Sequence, residues 1–149
     1  IVLLKNFSTK GFVFYTNYSS RKGKAIKKNS NVCLSFFWPS TEQQVIINGN
    51  AFKLDKKDSD NYFNSRPIGS QLGAIVSNQS QIIESRIILE NKISKIKLKK
   101  KLLKRPEHWG GFNVVPSRIE FWQGRDNRLH DRILYEKVGN IWNRVRLSP

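Results

Sequence analysis

Apolar residues at every second position are the feature of this sequence that most constrains its fold. Side chains alternate between the two faces of a β-strand, so a period of two predicts strands with one buried face. Three separate segments show this period, and no comparably regular helical period competes with it there. The apolar positions are Phe12, Phe14, Val32, Leu34, Phe36, Val45 and Ile47.

The whole chain then reads as strands with helices inserted between them. The predicted strands are residues 2–4, 11–17, 32–38, 44–54, 111–115, 119–123, 133–136 and 142–147. The predicted helices are residues 20–28, residues 56–64 and a short helix after Pro67, because proline suits a first helical turn. Antiparallel strands joined by local turns predict a mainly β fold of the closed or partly closed barrel type. With no repeats and no Gly-Ser linker, we expect residues 1–149 to form a single domain.

Positive charge is concentrated in two regions of a chain whose formal net charge is +16. Residues 92–105 hold eight basic residues and no acidic one, and Ile93, Ile96 and Leu103 recur at helical spacing. This predicts a helix with a lysine-rich solvated face, or alternatively a patch that binds a polyanion. Residues 1–41 hold seven Lys or Arg and no Asp or Glu, which suits an anionic ligand.

The sequence lacks the patterns expected of several classes of protein and site. The single cysteine, Cys33, excludes an internal disulfide, favours a reducing cytoplasm and is expected to be a small buried apolar residue. No apolar run approaches the ~20 residues of a membrane span. No cluster of Cys, His and carboxylates has metal-ligand spacing, and no nucleophile adjoins a base. The chain lacks methionine and opens on IVLLK as though inside a strand, so we expect a further segment upstream.

Residues 119–132, IEFWQGRDNRLHDR, combine an aromatic strand with basic residues beyond a turn. If the chain is extended again after the turn, Arg128, His130 and Arg132 point the same way. Together with Trp122 they suit a planar, anionic ligand, with a histidine that exchanges protons near neutral pH. The alternative is an arginine-rich strand on a solvated edge.

Two further segments suit phosphate groups. In SRKGK, Arg21 and Lys22 adjoin serine hydroxyls at a predicted helix start, although a simple basic turn has the same composition. Tyr62, Arg66 and Ser70 are spaced by four, and Pro67 predicts a break at which a new helix begins. Arg66 and Ser70 would then bind a second phosphate, unless Tyr62 and Arg66 merely cover a helix junction.

The order of these segments resembles that of pyridoxamine 5'-phosphate oxidases. The resemblance covers nearly the whole chain and includes the motif IEFWQGRDNRLHDR near the C-terminus. The other matching segments, in order, are LLKNF, GFVFYTNYSSRKGK, the pair Gln43 and Gln44, YFNSRPIGSQLGAIVSNQS, HWGGF and RLSP.

The resemblance implies an FMN-binding split β-barrel of antiparallel Greek-key type that works as a homodimer with shared active sites. It implies contacts to FMN, some of them from the partner subunit, by Tyr15, Thr16, Arg21, Lys22, Gln44, Gln79, Ser80, Trp122 and Arg132. It implies contacts to a vitamin B6 phosphate by Lys5, Tyr62, Arg66, Ser70, Arg128 and His130. An arginine that helps hold the flavin phosphate would lie in the upstream segment.

The reaction implied is oxidation of the 4' carbon of pyridoxine or pyridoxamine 5'-phosphate by hydride transfer to flavin, with O2 as final acceptor. Arg128 would position and support the reacting carbon electrostatically, and His130 would hydrogen-bond the substrate or transfer a proton. Two alternatives remain open. One is a nucleic-acid-binding barrel driven by positive charge, and the other is a split-barrel flavoprotein with a different substrate or none.

Overall fold

A computed structural model describes residues 1–98 and 102–149, so part of the lysine-rich segment, residues 99–101, lies outside the described residues. The strands are β1 (Leu4–Ser8), β2 (Gly11–Asn17), β3 (Asn31–Trp38), β4 (Gln43–Lys53), β5 (Trp109–Gln123), β6 (Asp131–Val138) and β7 (Ile141–Arg146). The α-helices are α1 (Arg21–Lys28), α2 (Lys56–Ser65), α3 (Ile68–Val76) and α4 (Ile87–Leu98). Short 3-10 turns span Pro39–Thr41 and Asp126–Arg128.

All described strand pairs are antiparallel and belong to one sheet. The path runs β1-β2-β5-β4-β3, so β2 lies beside β5 rather than beside β3, which is a Greek-key order. β5 pairs with β4 along one edge, while its other edge pairs first with β2 and then with β6. The mainly β, antiparallel, Greek-key prediction is confirmed.

β5 is one continuous strand where the sequence predicted two. Pro116 has no N–H for the ladder, and a β-bulge at this point gives β5 an extra residue, Ser117, opposite the step from Asn48 to Gly49. A Cβ on Gly49 would lie 2.8 Å from the Cα of Pro116, so glycine is required opposite this proline. β5 therefore continues through Pro116, although proline normally interrupts a strand, because Gly49 on the paired strand β4 has no side chain to collide with it.

Two other predictions near the sheet edges were wrong. β1 is Leu4–Ser8 rather than residues 2–4, because its register is set by the hairpin with β2. Every β1 residue is exposed, so the strand has no alternation of buried and exposed positions from which its bounds could be predicted. Cys33 is exposed, not buried. It lies on β3 at the end of the sheet path, where the alternation of β3 places it on the face opposite Val32 and Leu34.

A small hydrophobic cluster fixes the helices against the N-terminal half of β5. It consists of Phe63 on α2, Ala74 on α3 and Trp109 on β5. The predicted break between α2 and α3 is confirmed, with Pro67 immediately before α3. This cluster holds the junction between α2 and α3 against β5, beside β2.

The lysine-rich region is helical only in part. α4 is described over Ile87–Leu98, and residues 102–105 are not helical. No residue of α4 is buried, which fits the predicted solvated face. Across residues 1–98 and 102–149, no helix has the length and apolar content needed to cross a membrane.

Candidate active site

The N-terminus of α1 combines a capping serine with two cations. The buried Ser20 caps it: its hydroxyl accepts from Gly23 N–H at 3.2 Å and donates to the Asn17 carbonyl at 2.7 Å. Arg21 and Lys22 form the first turn, which has no acidic residue. Side-chain charge and helix dipole are both positive here, an arrangement that favours an anion.

Gly23 makes this tight turn possible, and we expect Gly23→Ala to disrupt it. An alanine Cβ would lie 2.6 Å from the carbonyl carbon of Tyr18, and backbone atoms cannot move aside as a flexible side chain can. We expect a fall in the midpoint of thermal unfolding, corresponding to about 1–3 kcal/mol of lost stability. The matched control is Gly73→Ala in α3, where a Cβ meets nothing within 4 Å and should be neutral or stabilising. Equal midpoints for the two variants would contradict this reading.

The loop after α3 packs against the start of α1. The Gln79 side-chain oxygen accepts from Thr16 Oγ1 at 3.1 Å and from Lys22 Nζ at 3.0 Å. Ser80 Oγ accepts from the Arg21 N–H at 3.2 Å, and Ser80 has a left-handed φ of 72°. Five of the residues predicted to contact FMN therefore meet at one helix end.

A cleft of about 380 Å³, here called the cationic cleft, opens beside this helix end. The predicted site residues that line it are Lys5, Tyr15, Thr16, Lys22, Tyr62, Arg66, Ser70 and Gln79. Trp109, Pro67 and residues 1–3 complete the lining. Among the residues that the structure describes, three cationic side chains and no carboxylate line this cleft. A larger cleft of about 640 Å³ has both charge signs, with Arg105 paired to Asp60 at 2.6 Å. The cationic cleft is the better match for a phosphate.

Arg66 is a cation of the cationic cleft with an unsatisfied buried atom. One terminal nitrogen of its guanidinium is buried and has no hydrogen-bond partner. Burial lowers the pKa of Arg66, while the nearby Tyr62 raises it, and an arginine stays charged in either case. A buried N–H without an acceptor is costly, so this group is suited to a ligand oxygen.

The remaining predicted residues lie together at the other end of β5. Gln44 pairs with Trp122 in the sheet, and Trp122 pairs with Arg132. Arg132 donates to Glu120 at 2.8 Å and to the Ser148 carbonyl at 3.1 Å, which ties the RLSP terminus to this end. Its hydrogen bond to Glu120 raises the pKa of Arg132. Gln44 and Trp122 line a cleft of about 470 Å³.

Residues 124–130 form the loop between β5 and β6, here called the arginine loop. The condition under which Arg128, His130 and Arg132 would point the same way is not met. Arg128 ends a 3-10 turn with a left-handed φ of 61°, and β6 begins only at Asp131. Arg125 closes the loop through Asp131 at 2.8 Å. A non-glycine residue held at positive φ is uncommon and marks a constrained position.

His130 has a defined hydrogen-bonding role in the arginine loop. Its Nδ1 accepts from the Arg125 N–H at 3.2 Å, and its ring centroid lies 4.8 Å from that of Trp122. When Nδ1 accepts, the neutral imidazole carries its proton on Nε2. Nε2 is then a hydrogen-bond donor.

The two groups of residues are far apart within one chain. Gly111, which pairs with Tyr15, and Trp122, which pairs with Gln44, are eleven positions apart on β5. At about 3.3 Å per residue this is roughly 35 Å of strand. The structure thus brings together ten predicted residues at the cationic cleft and α1, and five at the far end, but not the two groups.

Comparison with known proteins identifies the family. Residues 2–100 match the family model described as "Pyridoxamine 5'-phosphate oxidase". Residues 109–149 match the model described as "Pyridoxine 5'-phosphate oxidase C-terminal dimerisation region". The chain belongs to the pyridoxamine 5'-phosphate oxidase family.

Relatives within the pyridoxamine 5'-phosphate oxidase family extend over the whole chain. It is 58% identical to the pyridoxine/pyridoxamine 5'-phosphate oxidase of Flavobacterium johnsoniae, covering 99% of this chain and 71% of that protein. It is 53% identical to the enzyme of the same name from Actinobacillus pleuropneumoniae serotype 5b, covering 100% and 72%.

Solved structures agree with this assignment at the level of fold. PhzG of Burkholderia lata 383, solved with tetrahydrophenazine-1-carboxylic acid, superposes with a TM-score of 0.92 at 28% identity, over 99% of this chain and 73% of that one. An FMN-binding, pyridoxamine 5'-phosphate oxidase-related protein of Nostoc punctiforme has a TM-score of 0.77 at 14% identity, over 99% and 78%. The predicted split-barrel fold is confirmed.

Sequence reasoning missed four side chains that support the site of this family member. Trp109 lies under Arg66, Gln71 donates to the Arg66 carbonyl, Glu120 pairs with Arg132, and Arg125 closes the arginine loop. The HWGGF motif pointed to Trp109 without giving it a role. Glu120 lies in the IEFW strand, which pairs with the strand of Arg132, so its motif gave a weak indication of a role. Nothing in the sequence around Gln71 indicated a role for that residue.

Proposed function

We propose that this protein is an FMN-dependent oxidase that converts pyridoxamine or pyridoxine 5'-phosphate to pyridoxal 5'-phosphate in vitamin B6 metabolism. O2 is the final electron acceptor, H2O2 is released, and the amine substrate also yields ammonia. The observation that carries this proposal is the cationic cleft, where Arg66 presents a buried, unpartnered N–H beside Lys5 and Ser70. The names of relatives more than half identical to this chain support the substrate.

The residues at the start of α1 fit the phosphate of FMN. Lys22 and Arg21 supply charge, Ser80 and Thr16 supply hydroxyls, and the positive end of the helix dipole adds to them. Gln79 holds Lys22 and Thr16 toward the same point. Bound FMN supplies the two-electron, hydride-accepting chemistry that no side chain provides.

The chain's own residues bind and orient the substrate. Arg66, Ser70 and Lys5 bind its phosphate, and Tyr62 lies beside them in the cationic cleft. His130 donates a hydrogen bond from Nε2, the nitrogen left protonated by the Arg125 contact. Arg128 supplies fixed positive charge near the reacting carbon. Their task is to hold the ring in reacting geometry and to exclude water.

A homodimer joins the two groups of residues into complete sites. Residues 109–149 match a dimerisation region, and this region carries Trp122, Arg128, His130 and Arg132. About 35 Å of strand separates them from the cationic cleft of their own protomer. We infer that each active site combines the cationic cleft of one protomer with the arginine loop of its partner. We also propose that the protein works in the reducing cytoplasm.

The direct experiment is to add pyridoxamine 5'-phosphate to the FMN-loaded protein without oxygen and follow the visible flavin absorption. Bleaching of the flavin bands and their return on adding air are the expected result. A stable flavin spectrum that does not bleach would overturn the substrate and leave a split-barrel flavoprotein of other specificity. A protein that takes up no FMN, but binds nucleic acid with steep salt dependence, would overturn the whole proposal.

We expect Arg21→Ala to weaken retention of FMN. It removes a charge beside the proposed phosphate position, and loss of one charge-assisted contact corresponds to about a tenfold rise in the dissociation constant. The matched control is Lys24→Ala, which removes one charge from an exposed position on the same helix. Fluorescence titration of FMN measures both. Equal affinities for the two variants would contradict the assignment of Arg21.

A further inference from the structure

The backbone of Arg66 is fixed by contacts from three directions. Its N–H donates to the Phe63 carbonyl at 3.2 Å, the last turn of α2. Its carbonyl accepts from Gln71 Nε2 at 2.8 Å, and Gln71 is itself buried on α3. Pro67 follows directly and has a fixed φ. The freedom that remains is in the long side chain.

The guanidinium of Arg66 lies over the ring of Trp109, with its central carbon 4.6 Å from the ring centroid. Trp109 is only 7% exposed. Its ring stacks on Tyr15 with centroids 5.5 Å apart and meets the edge of Phe63 at 5.7 Å. The indole is therefore a rigid platform built from β2, α2 and β5.

The choice of an aromatic platform has a chemical consequence. Within residues 1–98 and 102–149, Arg66 makes no ion pair with a carboxylate. A carboxylate would occupy the N–H edge of the guanidinium and compete with phosphate. The face of Trp109 attracts the cation without taking its in-plane donors. One terminal nitrogen of this edge, Nη1, has no hydrogen-bond partner among the described residues.

We propose that Trp109 is a positioning residue that holds the Arg66 guanidinium flat and directs its N–H edge to the phosphate of the substrate. This inference rests on the proposed function for the identity of the substrate. Trp109 acts through Arg66 and does not itself bind the phosphate. Its contribution should therefore disappear when Arg66 is absent.

A double-mutant cycle tests this dependence on Arg66. The dissociation constant for 4'-deoxypyridoxine 5'-phosphate, which keeps the ring and the phosphate but has no 4' amine or hydroxyl to oxidise, is measured by calorimetry on the FMN-loaded protein. The four proteins are the original chain, Trp109→Leu, Arg66→Ala and the double variant. We expect Trp109→Leu to weaken binding about tenfold, which is about 1.4 kcal/mol. In the Arg66→Ala background the same substitution should change binding less than about twofold. Trp109→Phe, which keeps an aromatic face, should recover most of the affinity.

Three readouts separate positioning from general loss of structure. Trp109→Leu should raise KM while kcat stays within about a factor of two, and the inhibition constant of inorganic phosphate should rise in parallel with KM. Phe52→Leu, at an exposed aromatic residue of β4 outside the dimerisation region, is the control and should change neither. If Trp109→Leu does not fold, the cycle is run with Trp109→Phe, for which a rise of about threefold is expected.

Two different failures can be distinguished. Binding of pyridoxamine 5'-phosphate without any turnover by the original chain would overturn the proposed oxidation, while the calorimetric cycle would still test Trp109. Full turnover by the original chain, with equal effects of Trp109→Leu in the presence and absence of Arg66, would overturn the positioning role alone. An unchanged dissociation constant in Trp109→Leu would also overturn it.

Discussion

Arg66→Ala is expected to raise the KM for pyridoxamine 5'-phosphate by roughly ten- to a hundredfold, because a charge-assisted hydrogen bond to phosphate contributes about 1.5–3 kcal/mol. The effect should fall mainly on KM, since Arg66 contacts the phosphate and not the reacting carbon. FMN affinity should stay nearly constant, because the proposed flavin phosphate lies at α1. Steady-state oxygen consumption and FMN titration measure the two quantities.

The matched control is Arg86→Ala. The Arg86 side chain is 88% exposed and pairs with Glu90, four residues along the chain, so its loss should leave KM unchanged. Pyridoxine 5'-phosphate should respond to Arg66→Ala as the amine does, because the two substrates share the phosphate. A KM within twofold of the original value would remove Arg66 from the substrate site.

The parts of the fold predicted correctly were those determined locally. The break between α2 and α3 followed from Pro67 alone, and the start of α1 followed from Ser20 and the basic turn. The continuity of β5 was not predictable in this way. It depends on a glycine of β4, Gly49, that lies opposite Pro116 only after the sheet has formed.

The site shows the same division between local and distant determinants. SRKGK indicated an anion site from adjacent residues, and the structure places the Lys22 side chain against Gln79 and the Arg21 backbone against Ser80. The platform under Arg66 joins residues 43 positions apart, so no spacing rule reveals it. Alternation in the sequence does not give the conformation of the arginine loop, because a contact between Arg125 and Asp131 closes a turn there.

Subunit mixing is expected to restore activity to two inactive variants if each active site is shared. One variant carries Lys5→Ala and Arg66→Ala in the cationic cleft, and the other carries Arg128→Ala and His130→Ala in the arginine loop. Random pairing of equal amounts makes about half of the dimers mixed, and each mixed dimer has one site with both lesions and one with none. About a quarter of all sites are then intact, so activity should rise from near background to roughly a quarter of the original.

The control for subunit mixing pairs two lesions on the same side of the site. Lys22→Ala mixed with the Lys5→Ala and Arg66→Ala variant leaves every cationic cleft damaged, so no site is intact in any dimer. Activity there should not exceed the average of the two parent proteins. Recovery in the first mixture but not in the second follows only if the two ends of β5 act in different protomers. Failure of the first mixture, with mixed dimers demonstrated by native mass spectrometry, would place both groups in one protomer, which about 35 Å of strand makes physically difficult.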